Sequence, residues 1–322
     1  MATNGRTVAS VDPDVALAYK FPEVSFAYDE RDVALYALGV GACGADAVDD
    51  KELHLVHHRD GQRHIKVPLS PLALPTFASL FPNKNSNGRG IVNVPGIHFD
   101  ASLLLHGQQY IEIYKPIPSC ASVVNKVKVA GLHDKGKATI LEIETTTSLK
   151  DSGEVLCMNR LSGDYNPLHS DPMVAQVAGF TRPILHGLCT LGFAARAVIK
   201  SFCNGDPAAV RNIFGRFLLH VYPGETLVTE MWVDGQRVQY QTKAKERDRA
   251  VLSGYVLLKH IPSSLRKNNL LCFYQGVAGH QVLIMEEAGC RSLPAKDEEE
   301  EEEEETVSGQ LTAGEDAQPE TE

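Results

Sequence analysis

The clearest hydrophobic pattern in the chain lies between residues 167 and 259. Apolar side chains recur there at helical spacing and predict a largely buried helix from about Leu185 to Phe202. Four strand-like runs follow, separated by turn-forming sequences, at 212–222, 226–233, 237–244 and 251–258. A buried helix followed by an antiparallel meander predicts a sheet wrapped around the helix.

The first half of the chain repeats the strand part of this pattern. Its strand-like runs are at 108–114, 123–132, 137–146 and 154–158. No long apolar helix precedes them, and only residues 32–39 and 74–81 have helical spacing there. We therefore predict two related half-domains, of which the first has a reduced central helix.

The two ends of the chain lack this patterning. Residues 1–12 are polar and are expected to be disordered, and the pattern degrades again after Ile261. We place the first half at 13–160, the second at 161–261, and an atypical extension at 262–322. Within the extension, the runs at 270–274 and 282–285 predict a short strand or no stable structure, and an acidic tail follows.

Composition limits the kinds of protein that this chain can be. With 322 residues, 43% of them hydrophobic, it can bury one large core or two moderate ones. The tail after Lys296 carries thirteen acidic and no basic residues, so the formal net charge of −10 becomes +3 without it. A nearly neutral body suits a small anionic ligand better than a nucleic acid. The seven cysteines form no zinc or disulfide pattern. No run is long enough for a membrane span, and the N-terminus lacks a secretory signal, so we expect a soluble, non-secreted protein.

The segment Gly163-Asp164-Tyr165-Asn166-Pro167-Leu168-His169 carries unusual chemistry for a turn. It precedes a helix that Asp171-Pro172 is expected to begin. Two interpretations follow from the residues alone. Asp164 and Asn166 could cap turns while His169 is a buried imidazole. Alternatively, Asp164 and His169 converge on one ligand or water as acid and base.

A second motif, Arg182-Pro183-Ile184-Leu185-His186-Gly187-Leu188, leads into the predicted helix. Gly187 lies at the helix start, so its backbone N–H is available to an oxygen anion. His186 beside it could also be a packing or capping residue. Arg182 could meet a phosphate or be a solvated surface group. The two motifs together hold an acid–base pair and an anion-binding N–H, which the hydration of a conjugated thioester requires.

These motifs resemble those of the MaoC-like, type 2 (R-specific) enoyl-CoA hydratases, and most closely those of the plant peroxisomal members. The resemblance covers most of residues 13–265, including the first-half segment Leu103 to Tyr110. It implies an α+β double hot-dog fold: two half-domains, each an antiparallel sheet around a helix. The helix of the first half is reduced in this family, which leaves room for an acyl chain.

The resemblance also implies roles for individual residues. Asp164 and His169 would hold and activate the water and exchange the proton, Asn166 would anchor the site, and the Gly187 N–H would complete an oxyanion hole. The reaction would convert a trans-2-enoyl-CoA reversibly into a (3R)-3-hydroxyacyl-CoA without a metal or redox cofactor. Coenzyme A is part of the substrate. Residues implied in substrate binding are Gly163, Tyr165, His186 and, with the weakest support, Arg182.

The sequence departs from the family at two places. Relatives carry several tens of additional residues between Arg160 and Leu161, so we expect an incomplete last strand in the first half and an unpaired neighbour. Ser263-Ser264-Leu265, which resembles a peroxisomal C-terminal address, is internal here. The resemblance implies a peroxisomal protein, with a cytosolic location as the alternative.

Two alternative functions follow. One is an inactive or regulatory form that binds acyl-CoA without turnover, which the fusion at Arg160 and Leu161 suggests. The other is a hot-dog thioesterase or dehydratase. By family analogy we also expect a homodimer.

Overall fold

The computed structural model describes residues 11–68, 94–97, 105–136, 138–161, 167–169, 171–261, 272–277 and 280–282. The helices in these ranges are α1 (Pro13–Ala18), α2 (Glu30–Gly39), α3 (Pro172–Val177) and α4 (Gly187–Phe202). The strands are β1 (Val24–Tyr28), β2 (Gln108–Ile113), β3 (Ala121–Asp134), β4 (Thr139–Leu149), β5 (Val155–Leu161), β6 (Val210–Phe217), β7 (Thr226–Asp234), β8 (Arg237–Ala244), β9 (Arg249–Leu258), β10 (Cys272–Val277) and β11 (His280–Val282). None of these helices is long and apolar enough to cross a membrane.

The described strands form one antiparallel sheet with the order β1-β3-β4-β5-β2-β6-β9-β8-β7-β10-β11. The first-half strands β2 to β5 and the second-half strands β6 to β9 match the eight runs expected from the sequence. The halves meet where β2 pairs with β6, for example Tyr110 with Phe214. On either side of this pairing the strand order is mirrored, so the sheet consists of two similar parts.

Helix α4 lies at the centre of the main hydrophobic core. All but three of its 16 residues are buried, and its side chains pack against apolar residues of β2 and of β6 to β9. The sequence predicts its end at Phe202 correctly. Its start is two residues later than Leu185, because His186 has an extended backbone conformation and serves as the N-cap of the helix.

Helix α2 of the first half is shorter, with 10 residues, as expected for a reduced helix. The second helical run expected in this half, 74–81, lies outside the described residues. Helix α2 approaches α4 very closely at Gly192. A Cβ there would lie 2.5 Å from the Val40 side chain and 2.7 Å from the Tyr36 hydroxyl, so only glycine fits without displacement.

Buried charges fasten the loop after α2 to α4. The Arg196 Nε donates to a carboxylate oxygen of Glu52 at 2.7 Å, and both side chains are at most 3% exposed. One turn further along α4, the Lys200 Nζ lies 2.5 Å from an oxygen of Asp49. The loop is thus held by ion pairs that are shielded from water. Removing one partner of such a pair would leave the other charge buried without compensation, which is strongly destabilising.

The expectation of an unpaired neighbour in the first half is wrong. Strand β5 runs through the junction between Arg160 and Leu161 without a break and is hydrogen-bonded on both sides, to β4 and to β2. Leu161 still pairs with Ile143 on one side and Gln109 on the other. The residue after the junction therefore continues the strand, although β5 has 7 residues whereas β4 has 11.

The outer edges of the sheet come from segments that the sequence pattern did not identify clearly. Strand β1, which was not predicted, precedes α2 and pairs with β3. In the second half, the strand beside β7 is β10, from the extension, and it continues into a hairpin with β11. Between β5 and α4 the described residues contain no strand.

Candidate active site

The part of the first motif that the structure describes is a short turn followed by α3. Residues Pro167–His169 form a 3-10 turn, and Asp171 caps α3 as expected, accepting a hydrogen bond from the Met173 N–H at 2.8 Å. Leu168 is buried against Ala175 and other residues. The 3-10 turn and the burial of Leu168 therefore hold the backbone of His169 in position. The other predicted residues of this motif, Gly163, Asp164, Tyr165 and Asn166, lie outside the described residues.

The imidazole of His169 is held by the segment before α4. Its Nδ1 lies 3.0 Å from the carbonyl oxygen of Ile184. Because a carbonyl oxygen can only accept a hydrogen bond, Nδ1 carries the proton and Nε2 of the neutral ring carries the lone pair. A backbone carbonyl thus fixes the orientation of the His169 ring.

His186 has the opposite tautomer. It is the N-cap of α4, and its Nδ1 accepts a hydrogen bond from the Leu188 N–H at 3.2 Å. A backbone N–H can only donate, so the proton of the neutral ring is on Nε2. The ring centroids of His169 and His186 are 4.7 Å apart. One small region therefore presents an imidazole acceptor and an imidazole donor side by side.

Gly187, the first residue of α4, adjoins this pair. Its N–H has no acceptor within the helix, because the first turn of a helix leaves its N–H groups unpaired. A Cβ at this position would lie 3.1 to 3.3 Å from ring atoms of Phe217. The Phe217 ring in turn contacts His106 edge to face, with centroids 4.8 Å apart. The helix start is therefore closely covered by an aromatic ring, and a larger residue at 187 would displace it.

Arg182 lies at the periphery of the same region. It is exposed, and its guanidinium carbon lies 5.0 Å from the ring centroid of Tyr222. The Arg247 guanidinium carbon is 5.8 Å from the same centroid. Two cations therefore flank one aromatic ring. The charge of Arg247 is paired with Glu225, whose carboxylate oxygen lies 2.6 Å from Nε, whereas Arg182 is exposed at the surface.

His220 belongs to this peripheral cluster as well. Its ring lies between Phe180 and Tyr222, with centroid distances of 4.9 and 4.8 Å. Burial, and secondly the positive charge of Arg247, lower the pKa of His220 below its usual value. The site is thus bordered by a histidine that favours its neutral form.

The structure brings together His169, His186 and Gly187, with Arg182 nearby along the chain. Sequence reasoning missed the covering ring of Phe217 and the stacking ring of Tyr222. Phe217 is the last residue of β6, and Tyr222 follows that strand. Their closeness to the two motifs is visible only in the folded chain. His106 was inside the first-half segment that carried the resemblance, which was the one available signal. Among the described residues, no cluster of His, Cys, Asp or Glu could hold a metal ion.

Two family models match the chain. The MFE-2 hydratase 2 N-terminal domain matches residues 26–163, and the MaoC like domain matches residues 136–254. The two matches overlap on β4 and β5, around the junction at Arg160 and Leu161. Together they extend over both parts of the sheet.

Similar proteins of known name agree with these models. Enoyl-CoA hydratase 2, peroxisomal, from Arabidopsis thaliana is 52% identical over 307 residues, covering 78% of this chain and 97% of the relative. Peroxisomal multifunctional enzyme type 2 from Mus musculus is 34% identical, and the match covers 77% of this chain but 38% of that longer protein.

A solved structure supports the fold. The crystal structure of a MaoC-like dehydratase from Phytophthora capsici matches with a TM-score of 0.62 and 29% identity, covering 77% of this chain and 98% of that one. This likeness, together with the mirrored antiparallel sheet around few helices, confirms the α+β double hot-dog fold expected from the sequence. The chain therefore belongs to the family of MaoC-like hydratase 2 proteins.

Proposed function

We propose that this protein catalyses the reversible hydration of trans-2-enoyl-CoA to (3R)-3-hydroxyacyl-CoA in fatty-acid β-oxidation, notably of unsaturated acyl chains. The observation that carries the proposal is the pair of imidazoles with opposite tautomers, His169 and His186, beside the first N–H of α4. The names of the Arabidopsis and mouse relatives support the same substrate class.

The reaction needs three functions, and the chain offers groups for each. A water loses a proton as its oxygen bonds to C3 of the enoyl group, and His169, with its Nε2 lone pair, and Asp164 would hold that water and take up the proton. The same groups would return a proton to C2. As C3 is attacked, negative charge develops on the thioester oxygen, which the Gly187 N–H would stabilise.

Other residues would hold the substrate and the site in place. Asn166 would anchor the catalytic loop, while Gly163 and Tyr165 would contact the substrate. The Nε2 proton of His186 would donate to a substrate oxygen. Arg182, stacked on Tyr222, would meet a phosphate of coenzyme A. Coenzyme A stays attached throughout, so no bond to sulfur is broken. Addition of water involves no net oxidation or reduction, so no redox cofactor is required, and acid–base groups with the Gly187 N–H would serve in place of a metal.

The test measures loss of the ultraviolet absorbance of a conjugated enoyl-CoA, followed by chiral analysis of the product. We expect the purified full chain to form the R product. Asp164→Asn and His169→Gln should each lose activity by about 100-fold or more. The matched control is His57→Gln, an exposed histidine, which should keep full activity.

Each alternative function has its own outcome in the same assay. Unchanged turnover in Asp164→Asn would refute the assigned roles. Release of free thiol from a saturated acyl-CoA would identify a thioesterase. Binding of acyl-CoA by the folded protein without any hydration would identify a non-catalytic form.

We further infer that the protein acts in peroxisomes, which the names of its relatives support. Ser263-Ser264-Leu265 is internal, so it cannot serve as a C-terminal address in this chain. A fluorescent protein fused before Met1, with no tag after the last residue, should co-localise with a peroxisomal marker. A diffuse cytosolic signal would contradict this inference.

We also infer a homodimer, by analogy with other hot-dog proteins. Light scattering coupled to size-exclusion chromatography should give twice the chain mass of 35.1 kDa. A mass equal to one chain would exclude it.

A further inference from the structure

The first half of the sheet shows how a half-domain of this fold is closed at its outer edge. Strand β1 precedes α2 in the chain and pairs antiparallel with β3, from Val24 opposite Asn125 to Tyr28 opposite Ala121. Strand β3 therefore has partners on both sides, β1 and β4. The outermost strand of this half, β1, thus precedes the other strands of the half in the sequence.

In the part of the second half that the structure describes, no such strand is found in the corresponding place of the sequence. Because the strand order is mirrored about the β2–β6 pairing, β7 corresponds to β3, β8 to β4, and β9 to β5. Between β5 and α4, however, the described residues form a turn and α3 but no strand.

The comparison with the Arabidopsis relative agrees with the absence of a strand between β5 and α4 among the described residues. Its alignment spans 307 positions but takes in 78% of the 322 residues of this chain. Several tens of residues of the relative therefore have no counterpart here. The structure shows that the first half is not the part that loses a strand, because β5 is paired on both sides.

Strand β10 lies where the missing strand would be. It pairs antiparallel with β7 over six positions, as β1 does with β3 over five, and thereby gives β7 a second neighbour besides β8. Its alternate positions 272, 274 and 276 lie opposite Met231, Thr229 and Leu227. Those three residues of β7 are at most 2% exposed, so the strand with which β10 pairs is itself well buried.

We propose that residues 272–277 of the extension replace the edge strand that the second half lacks. Without β10, β7 would present a nine-residue edge with unpaired N–H and carbonyl groups, which favours aggregation. The pairing covers the edge from Thr226 to Met231, six of the nine positions, from within the same chain. The extension after Ile261 is thus part of the catalytic half, and the second half-domain reaches at least Val277.

The proposal can be tested by engineered disulfides in the full chain. Directly opposed residues of antiparallel strands have Cα atoms about 4.5 or 5.5 Å apart, alternating along the pair, and both distances suit a disulfide. Met231→Cys places a thiol opposite the natural Cys272, and the double variant Glu230→Cys/Phe273→Cys tests the adjacent pair. The two variants sample both kinds of pair, so at least one should link upon mild oxidation.

The matched control is Thr229→Cys, which faces Tyr274 and lies two positions out of register with Cys272. Peptide mapping by mass spectrometry should find a 231–272 or 230–273 linkage within one chain, at least tenfold more abundant than any 229–272 linkage. Equal yields in the control, or no linkage in either variant, would overturn the proposal. A linkage between two chains would overturn the assignment of the strand to the same chain.

Hydrogen exchange supplies a second measurement, which needs no substitution. In the native protein, amides of 272–277 should exchange at least tenfold more slowly than those of the acidic run 298–305, and at rates comparable with those of 24–28. Exchange of 272–277 as fast as that of 298–305 would contradict the proposal. Because neither readout involves catalysis, failure of the proposed hydratase activity would leave this inference unaffected.

Discussion

The two histidines of the candidate site differ in their tautomers, which are set by neighbouring backbone groups. His169 donates from Nδ1 to a carbonyl, and His186 accepts at Nδ1 from a backbone N–H. Identical side chains thus acquire complementary proton positions from two backbone groups, both in the segment around the start of α4. The same segment supplies the Gly187 N–H, so a displacement here would affect every element of the site at once.

The covering of Gly187 by Phe217 leads to a first prediction. Gly187→Ala keeps the N–H but places a methyl group 3.1 to 3.3 Å from the Phe217 ring, so the ring or the helix start must shift. We expect kcat/KM to fall by about 10- to 100-fold, because small displacements of reacting groups are costly. Steady-state kinetics measure this, and Gly39→Ala, whose added Cβ has no neighbour within 4 Å, is the control.

The double variant Gly187→Ala/Phe217→Leu separates crowding from loss of the glycine itself. The smaller side chain relieves the contact, so activity should partly recover. A double variant no better than Gly187→Ala would show that crowding by Phe217 is not the cause.

A second prediction concerns the pH dependence of stability. Burial, followed by Arg247, lowers the pKa of His220 below its usual 6.5, so the folded protein binds this proton less readily than the unfolded chain. The stability that depends on neutral His220 is therefore complete above pH 6.5 and is lost as the pH falls from there through the lowered pKa. The Tm of His220→Gln should decline less steeply than that of the native protein over this interval.

The exposed His57→Gln variant serves as the control and should keep the native slope. Parallel Tm profiles for His220→Gln and the native protein would contradict the prediction. The direction is specific, because a histidine stabilised in its charged form would give the opposite slope.

The sequence drew attention to three residues that the structure brings together, but it could not predict their tautomers. The motifs identified His169, His186 and Gly187 because turn formers, titratable groups and a helix start coincide there. The tautomers depend on the Ile184 carbonyl and the Leu188 N–H, whose positions arise only upon folding. The contact of Phe217 with Gly187 links residues from different elements, which no local pattern reports.

At the scale of elements, α4 is unusual because it buries charge as well as apolar surface. Arg196 and Lys200 project from successive turns, and both reach Glu52 in the loop after α2. Glu52 also accepts a hydrogen bond from the Cys43 N–H at 2.9 Å. The cluster ties the first-half segment to the central helix of the second half.

A third prediction follows from this cluster. Arg196→Met leaves the buried carboxylate of Glu52 without its closest cation, and we expect the free energy of unfolding to fall by about 3 to 5 kcal/mol. Urea denaturation measures the loss. Adding Glu52→Gln, which removes the charge but keeps an acceptor for the Cys43 N–H, should restore a large part of it. If the two changes were simply additive, the charges would not be coupled.

The success of element prediction depended on length and repetition. The 16 residues of α4 and the longer alternating strands have enough repeats to reveal their period. Strand β1 has five residues and lies between helices, and β10 has six in a weakly patterned extension, so neither shows a clear period. Strand β1 is the outermost strand at its end of the sheet, and β10 has only the three-residue β11 beyond it, so both depend on a partner strand more than on their own sequence.

At the scale of the whole molecule, the order of the strands was the least predictable property. The sequence suggested that the junction at Arg160 and Leu161 would damage the first half. Instead β5 continues through it, and the place that lacks a local strand is beside β7. Pairing between distant segments decides this, and a pattern along the chain contains no information on which edges meet.

A fourth prediction concerns the acidic end of the chain. The chain divides into a unit at 1–288 and a unit at 289–322, and the latter carries the thirteen acidic residues of the tail. Such a charge run cannot form a core. Removing residues 289–322 should therefore leave Tm unchanged and should change kcat by less than about twofold. Differential scanning fluorimetry and the hydration assay measure both quantities.

A shorter form that ends at Ile261 is the informative comparison. It also removes β10, so it should aggregate or melt at a lower temperature than the form that ends at residue 288. Equal behaviour of both forms would show that β10 contributes nothing to stability.

The pairing of β7 with β10 also affects how the protein folds as it is made. Met231 and Cys272 are separated by less than half as many residues as Tyr28 and Ala121, the corresponding pair in the first half. Because each doubling of a loop adds about 0.6 kcal/mol of closure entropy, the later pairing closes at slightly lower cost. Yet β10, the second partner of β7, is synthesised after β6, β8 and β9. The nascent chain must therefore carry an open β7 edge until residue 277 has been added, an interval in which chaperones would have the greatest effect on its yield.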